Sequence, residues 1–148
     1  MTEAALSGVC GVLDDGWMLV RTEKMPQSSQ RPMRVRVHAP LGVAEVLWRG
    51  DPKEADGHHL VEWSVDDDIL WGQNTQPARR AEPGLRQEGD RVVMCGRLHL
   101  AEEGAAYLQM GDSPILFDLA SPVPANIDGA WVEISVEADS VALHPYQT

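Results

Sequence analysis

The sequence predicts an all-β protein built as two tandem small five-stranded units. Several segments alternate apolar and polar residues with period two, for example residues 33–38 (Met-Arg-Val-Arg-Val-His) and 132–136 (Val-Glu-Ile-Ser-Val). Acidic turns that end in glycine separate the apolar segments. Helical spacing is confined to two short candidates, 41–48 and 75–88, and prolines interrupt the second. Strands and hairpins therefore account for the pattern better than helices do.

The composition sets the size of the core and the sign of the surface. The chain has 148 residues, 43% of them hydrophobic, which is sufficient for one ordinary domain or two very small ones. It carries 12 Lys and Arg against 23 Asp and Glu, a formal net charge of −11. The excess is spread evenly, with 7 basic and 12 acidic groups in residues 1–74 and 5 and 11 in residues 75–148. Bulk binding of a phosphate backbone or an anionic membrane is therefore not expected.

The N-terminal sequence and the cysteines indicate a compartment. Residues 1–8 contain no basic stretch and no apolar stretch of signal-peptide length, and no apolar run approaches the roughly 20 residues of a membrane span. The expected localisation is cytoplasmic. Cys10 and Cys95 each lie inside an apolar segment, so we expect buried thiols and no disulfide between them.

An internal repeat runs through the chain. Residues 9–13 (Val-Cys-Gly-Val-Leu) correspond to residues 94–98 (Met-Cys-Gly-Arg-Leu), at an offset of 85 residues. Residues 61–65 (Val-Glu-Trp-Ser-Val) correspond to residues 132–136, at an offset of 71, and an Asp-Gly pair precedes each copy. Both matches occur in the same order, which favours a tandem duplication over one continuous β domain with recurring turns.

The repeat assigns strands to two domains joined by a linker. The second domain, 92–148, has predicted strands at 92–100, 105–110, 114–120, 131–137 and 140–146. The first, 1–73, has them at 7–13, 17–22, 32–38, 60–66 and 68–73, with residues 40–57 as an insertion that carries an extra strand at 43–48. Residues 74–91, which contain prolines and glycines, form the linker.

This strand order and turn placement resemble the oligonucleotide/oligosaccharide-binding (OB) superfamily, in two copies. The resemblance implies small closed barrels and leaves the ligand open, since that fold serves many functions. The repeat predicts that Trp63 superposes on Ile134 and Cys10 on Cys95, with Trp63 in the core. We expect Trp71 and Trp131 to be buried as well. Barrels of about 60 residues are marginal alone, so packing of the halves or formation of a homodimer is expected.

One surface of the first half has the composition of a ligand site. If Met33 and its alternate neighbours point inward, the intervening basic residues point outward together. An aromatic side chain beside arginines is typical both of single-strand stacking sites and of protein hot spots. A solvated strand face with ion-paired arginines is the simpler alternative. The candidate ligand-binding residues are Trp17, Arg21, Arg34, Arg36 and His38. The second half is expected to lack this patch, because its third strand places Asp118 where a basic residue would be needed.

Catalytic, metal and cofactor sites are not predicted. His58 and His59 are adjacent in sequence, so their side chains rarely reach one metal ion, and residues 66–68 (Asp-Asp-Asp) lack calcium-loop spacing. No phosphate-binding glycine loop or hydrolase motif is present. The expected function is therefore a non-catalytic module that binds a protein, for example an immunity or antitoxin-like inhibitor of a basic toxin. The alternative is a protein that binds single-stranded nucleic acid.

Overall fold

The computed structural model describes residues 17–26, 32–102, 104–111 and 113–146. Strands make up 60% of it and helical turns 7%, which confirms the all-β fold class. No helix in these ranges is long and apolar enough to cross a membrane. The described strands are β1 (Met18–Lys24), β2 (Arg34–Ala39), β3 (Gly42–Trp48), β4 (Gly57–Val65), β5 (Thr75–Pro77), β6 (Gly84–Glu88), β7 (Arg91–Leu100), β8 (Ala105–Met110), β9 (Ser113–Asp118), β10 (Trp131–Glu137) and β11 (Val141–Pro145). Short 3-10 turns span Pro52–Glu54, Ala125–Ile127 and Ala138–Ser140.

Five of these strands form a closed barrel. β1, β2 and β3 are a continuous antiparallel meander, and β4 pairs with the other edge of β1. β11 pairs antiparallel with β4 and parallel with β3, which closes the ring. The parallel pair is possible because β11 comes from the far end of the chain. The result is consistent with an OB-like barrel.

Alternation along the strands fills the barrel. On β2, Val35 and Val37 are fully buried, while Arg36 between them is exposed. On β4, Val61 and Trp63 point inward, and the prediction that Trp63 is a core residue is confirmed by its 3% exposure. Period-two patterning thus correctly predicts which face of these strands is apolar.

The remaining strands form a second sheet around β7. β10 pairs with one edge of β7, while β6 and β8 pair with successive parts of the other edge. β9 extends the sheet beyond β8, and β5 extends it beyond β10. A single parallel bridge from Gly42 to Leu85 joins β3 to β6 and connects the sheet to the barrel. The second core is formed by fully buried apolar side chains, including Met94, Leu98, Leu108, Ile115 and Ile134.

Several strand predictions are wrong in their details. Residues 68–73 do not form the closing strand of the first half: they hold isolated bridges at Ile69 and Trp71, and the Asn74 side chain bonds the Leu70 backbone within a turn. The extra strand predicted at 43–48 within the segment 40–57 is present as β3, which pairs with both β2 and β11 and belongs to the barrel. The predicted linker 74–91 contains β5 and β6. Neither helical candidate is a helix.

β1 lies between β2 and β4 in the barrel. Residues 7–13 and Cys10 lie outside the described residues. The division into domains 1–73 and 92–148 stays a prediction as far as separate folding units are concerned.

Candidate functional site

The predicted ligand patch lies together on the outer face of the closed barrel. Arg21 is directly opposite His38 in the β1–β2 register, and Arg36 is opposite Glu23. Arg34 is the next outward residue of β2, and Trp17 immediately precedes β1. The structure therefore places the four basic residues on one face of β1 and β2, whereas Trp17 lies at the other end of this strand pair from Arg34.

Each arginine of this patch is paired with a carboxylate. Arg21 lies 3.8 Å from Glu23, and Arg36 lies 3.1 Å from Glu45 on β3. Arg34 forms an ion pair with Asp139, which follows β10. These pairs are at the surface, where such contacts contribute at most about 1 kcal/mol. The patch is thus a row of alternating charges rather than a basic groove.

Glu23 is the electrostatic centre of the patch. Its carboxylate hydrogen-bonds the His38 ring and also faces Arg21. The hydrogen bond with His38 is the main reason that the pKa of Glu23 is lower than its ordinary value, and the charges of His38 and Arg21 add to it. Glu23 is therefore charged at neutral pH and partly offsets the positive charge of Arg21.

Trp17 belongs to an apolar corner beside the patch. Its ring packs edge-on against Tyr146, with 5.0 Å between ring centroids. Leu19 and Leu60 are a cross-strand pair on the same outer face, and the Tyr146 N–H donates to the Leu60 carbonyl at 2.8 Å. Leu19 is 46% exposed and Tyr146 is 49% exposed. This corner is a small surface suited to an apolar contact.

The second sheet carries an outward-facing row of two aromatic rings and a leucine, which the sequence patterns did not predict. His99, Tyr107 and Leu116 are directly opposite one another on β7, β8 and β9. The rings of His99 and Tyr107 are stacked at 4.9 Å, and Leu116 is 67% exposed. We call His99, Tyr107 and Leu116 the aromatic row. The expectation that the second half lacks a patch was based on charge alone. The sequence signal for this row was Tyr107, which alternates with the core residues Ala106 and Leu108 and therefore faces outward.

A second outward row borders the aromatic row. This row crosses four neighbouring strands and consists of Trp131 on β10, Arg97 on β7, Gln109 on β8 and Pro114 on β9. Arg97 Nε donates to the Gly129 carbonyl at 3.2 Å. The prediction that Trp131 is buried is wrong, because it alternates with the inward Val132 and is only half-buried.

A groove of about 550 Å³ crosses the outer face of β6, β7 and β10. The Arg86 guanidinium reaches over β7, at 2.6 Å from Glu88 and 3.5 Å from Glu133. Cys95 lies in the floor, buried as predicted, with its Sγ 4.0 Å from the Arg80 carbonyl oxygen. Burial, followed by the charge of Glu133, raises the pKa of the Cys95 thiol. The thiol therefore stays protonated near neutral pH and is a poor nucleophile.

The histidine pair and the acidic turn do not assemble a metal site. His58 and His59 lie in β4, and the His59 ring contacts the Glu54 carbonyl oxygen at 2.7 Å. Within the described ranges, no group of three or more His, Cys, Asp or Glu residues is arranged to hold a metal ion. Residues 66–68 instead meet a second acidic turn, since the Asp66 N–H donates to the Ser140 carbonyl at 2.7 Å.

Comparison with known proteins gives no relative for this chain. No family model, curated protein or solved structure matches it.

Proposed function

We propose that the chain is a non-catalytic protein-binding module that docks through the aromatic row. The observation that supports this proposal is Leu116, which is 67% exposed on β9 and lies beside the stacked rings of His99 and Tyr107. Tyrosine is among the residues that most often supply binding energy in protein interfaces, and the exposed leucine beside it adds apolar surface that a partner can cover. Covering such a side chain contributes about 25 cal/mol for each Å² of apolar surface removed from water.

The charge of the chain indicates the chemistry of the partner. A net charge of −11 attracts a positively charged protein at long range and accelerates its encounter. The two acidic turns, around residues 66–68 and 137–139, lie side by side and intensify this field locally. An inhibitor that binds a basic toxin is a function of this kind, and we propose it as the concrete form of the module.

The ion pairs of the predicted patch count against the nucleic-acid alternative. Affinity for a phosphate backbone comes from free cations that release counterions. Arg21, Arg34 and Arg36 each already face a carboxylate of this chain. A strand of nucleic acid would have to displace these carboxylates before it gained a contact.

The test compares two matched variants in affinity capture. Val43 on β3 is opposite His38, as Leu116 on β9 is opposite Tyr107, and Val43 is also exposed, at 43%. We expect the wild type and Val43→Ser to retain one stoichiometric basic partner from the native lysate, and Leu116→Ser to lose it. Retention of that partner by Leu116→Ser would overturn the docking surface.

A titration with oligo-dT separates the two functions. We expect no quenching of tryptophan fluorescence at about 20 mM salt, where phosphate contacts are strongest. Quenching that disappears as salt is raised would favour the nucleic-acid function and overturn the protein-binding proposal. A matched Arg34→Glu, Arg36→Glu double variant then shows whether the predicted patch is the contact.

A further inference from the structure

We infer that the two halves of the chain are each other's binding partner, because β11 closes the barrel of the first half and the segment that follows β4 pairs with β9 and β10 of the second half. The first half consists of β1 to β4, and its closing strand is β11 from the C-terminus. Val141 and Leu143 of β11 are fully buried in this position. The chain that follows β4 directly does not return to its own barrel.

The chain that follows β4 instead enters the second half. The Ile69 N–H donates to the Asp118 carbonyl at 2.8 Å, and the Ala120 N–H donates to the Ile69 carbonyl at 3.0 Å. This parallel bridge at the end of β9 corresponds to the parallel contact of β11 with the end of β3. A few residues later, β5 pairs antiparallel with β10, as β11 does with β4.

The registers of the two closing strands correspond residue by residue. Val61 of β4 is opposite Pro145, and Val132 of β10 is opposite Pro77. Val61 and Val132 are equivalent in the sequence repeat, at an offset of 71. Both closing strands therefore end on a proline opposite the same repeat position. This correspondence is independent of the sequence match and supports two copies of one unit that have exchanged their last strands.

Removal of either exchanged strand would expose a core. Ile69 and Leu143 are fully buried, and Thr75 is 1% exposed. Trp63 is directly opposite Leu143, so the first half would present this tryptophan to water without β11. The interaction surface is thus the pair of strand edges on β3 and β4 together with the edges on β9 and β10. The partner that fits these edges is the closing strand of the other half.

The experiment cuts the folded chain between the halves. A protease recognition sequence inserted after Arg80, whose side chain is 83% exposed, leaves β5 on the N-terminal fragment and β6 on the C-terminal fragment. After cleavage, we expect the fragments to elute as one 1:1 complex and to separate only in denaturant. Mixing should restore the β-sheet circular dichroism that each fragment lacks alone. Fragments that separate on dilution and each keep a cooperative unfolding transition would overturn the inference.

Two leucine variants test the contact itself in the cleaved chain. Leu143→Ala shortens a buried side chain of β11, and truncations of this kind are costly enough to raise the dissociation constant of the fragments at least about tenfold. Leu19→Ala on β1 is the matched control, because Leu19 is exposed and lies outside the exchanged edges, and its dissociation constant should stay within about twofold of the wild type. Equal effects of the two variants would contradict the exchange. The experiment contains no external partner, so its outcome is separate from that of the proposed function.

Discussion

The junction between the barrel and the second sheet depends on the absence of one methyl group. Gly42 begins β3 with a φ of 150°, and it is the residue of β3 that bridges to Leu85 of β6. A Cβ at position 42 would lie 1.8 Å from the Leu85 carbonyl oxygen. Since carbon and oxygen atoms approach to about 3.3 Å at closest, Gly42→Ala must separate the strands by about 1.5 Å.

The cost of this separation is the sum of three losses. The Leu85 N–H donates to the Leu41 carbonyl at 3.1 Å, and loss of this bond costs about 1 kcal/mol. An alanine at this φ adds about 1 to 3 kcal/mol of backbone strain. Leu85, which is only 6% exposed, loses part of its packing, which adds about 1 kcal/mol. The total is about 3 to 5 kcal/mol, or a fall of about 6 to 20 °C in Tm for a chain of this length.

Thermal unfolding followed by far-UV circular dichroism measures this change. Gly89→Ala is the matched control, because Gly89 also has a positive φ, 63°, but no atom lies within 4 Å of its added Cβ. It should cost only the left-handed conformation, about 1 to 2 kcal/mol. Equal Tm values for the two variants would refute the role of the Gly42–Leu85 contact.

Three further predictions concern side chains. The Trp63 Nε1 is buried without a hydrogen-bond partner in the described part of the chain. Trp63→Phe removes this unsatisfied donor, which should stabilise the fold by about 1 to 3 kcal/mol, but leaves a cavity that should destabilise it by a similar amount. Urea unfolding should give a free energy within about 1 kcal/mol of the wild type, and a loss above about 3 kcal/mol would contradict this balance. In a Cys10→Ser chain, Glu133→Gln should accelerate alkylation of Cys95 at about pH 8, since it removes the charge that, after burial, raises the thiol pKa; an unchanged or slower rate would argue against that cause. The pKa of Glu23 is lowered, mainly by the hydrogen bond with the neighbouring histidine ring, so its stabilising contribution is present above its ordinary value of 4.5 and is lost as the pH falls through the lower folded value. The stability difference between the wild type and Glu23→Gln should therefore be larger at about pH 6 than at about pH 3, and a difference that grows on acidification would be inconsistent with this linkage.

Local patterning predicts most strands but not their partners. The alternation of Val35 and Val37 with the arginines of β2 is written in consecutive residues, and the buried face follows from it directly. The closing strand is different, because Val141 pairs with Val65 across more than half of the chain. The apolar pattern of the segment after β4 is compatible with pairing in the first half and with pairing in the second half. Only the packing of the complete chain distinguishes the two, so the sequence favoured the shorter connection.

The candidate site likewise has features that local sequence predicts and features that depend on distant parts of the chain. The outward direction of Arg34 and Arg36 follows from period two, but the carboxylate that neutralises Arg34 belongs to Asp139, 105 residues away. The aromatic row requires the registers of two strand pairs before His99, Tyr107 and Leu116 become neighbours. Residue type and strand phase are therefore predictable for a β-sheet site, whereas its electrostatic partners and its rows depend on strand register.

The path of the chain between the barrel and the second sheet also changes the interpretation of the net charge. Along the sequence the acidic excess is nearly equal in the two halves, which describes a diffuse field. Between β4 and β11 the chain crosses from one half to the other twice, once through residues 66–68 and once through residues 137–140. The Asp66 N–H donates to the Ser140 carbonyl, which holds the two crossings side by side. Two acidic turns that the repeat separates by 71 residues thus become one surface, and Arg34 neutralises only one of their carboxylates, that of Asp139. The two connections between the barrel and the second sheet therefore concentrate negative charge at a single place, where the basic partner proposed above would be attracted before it makes any short-range contact.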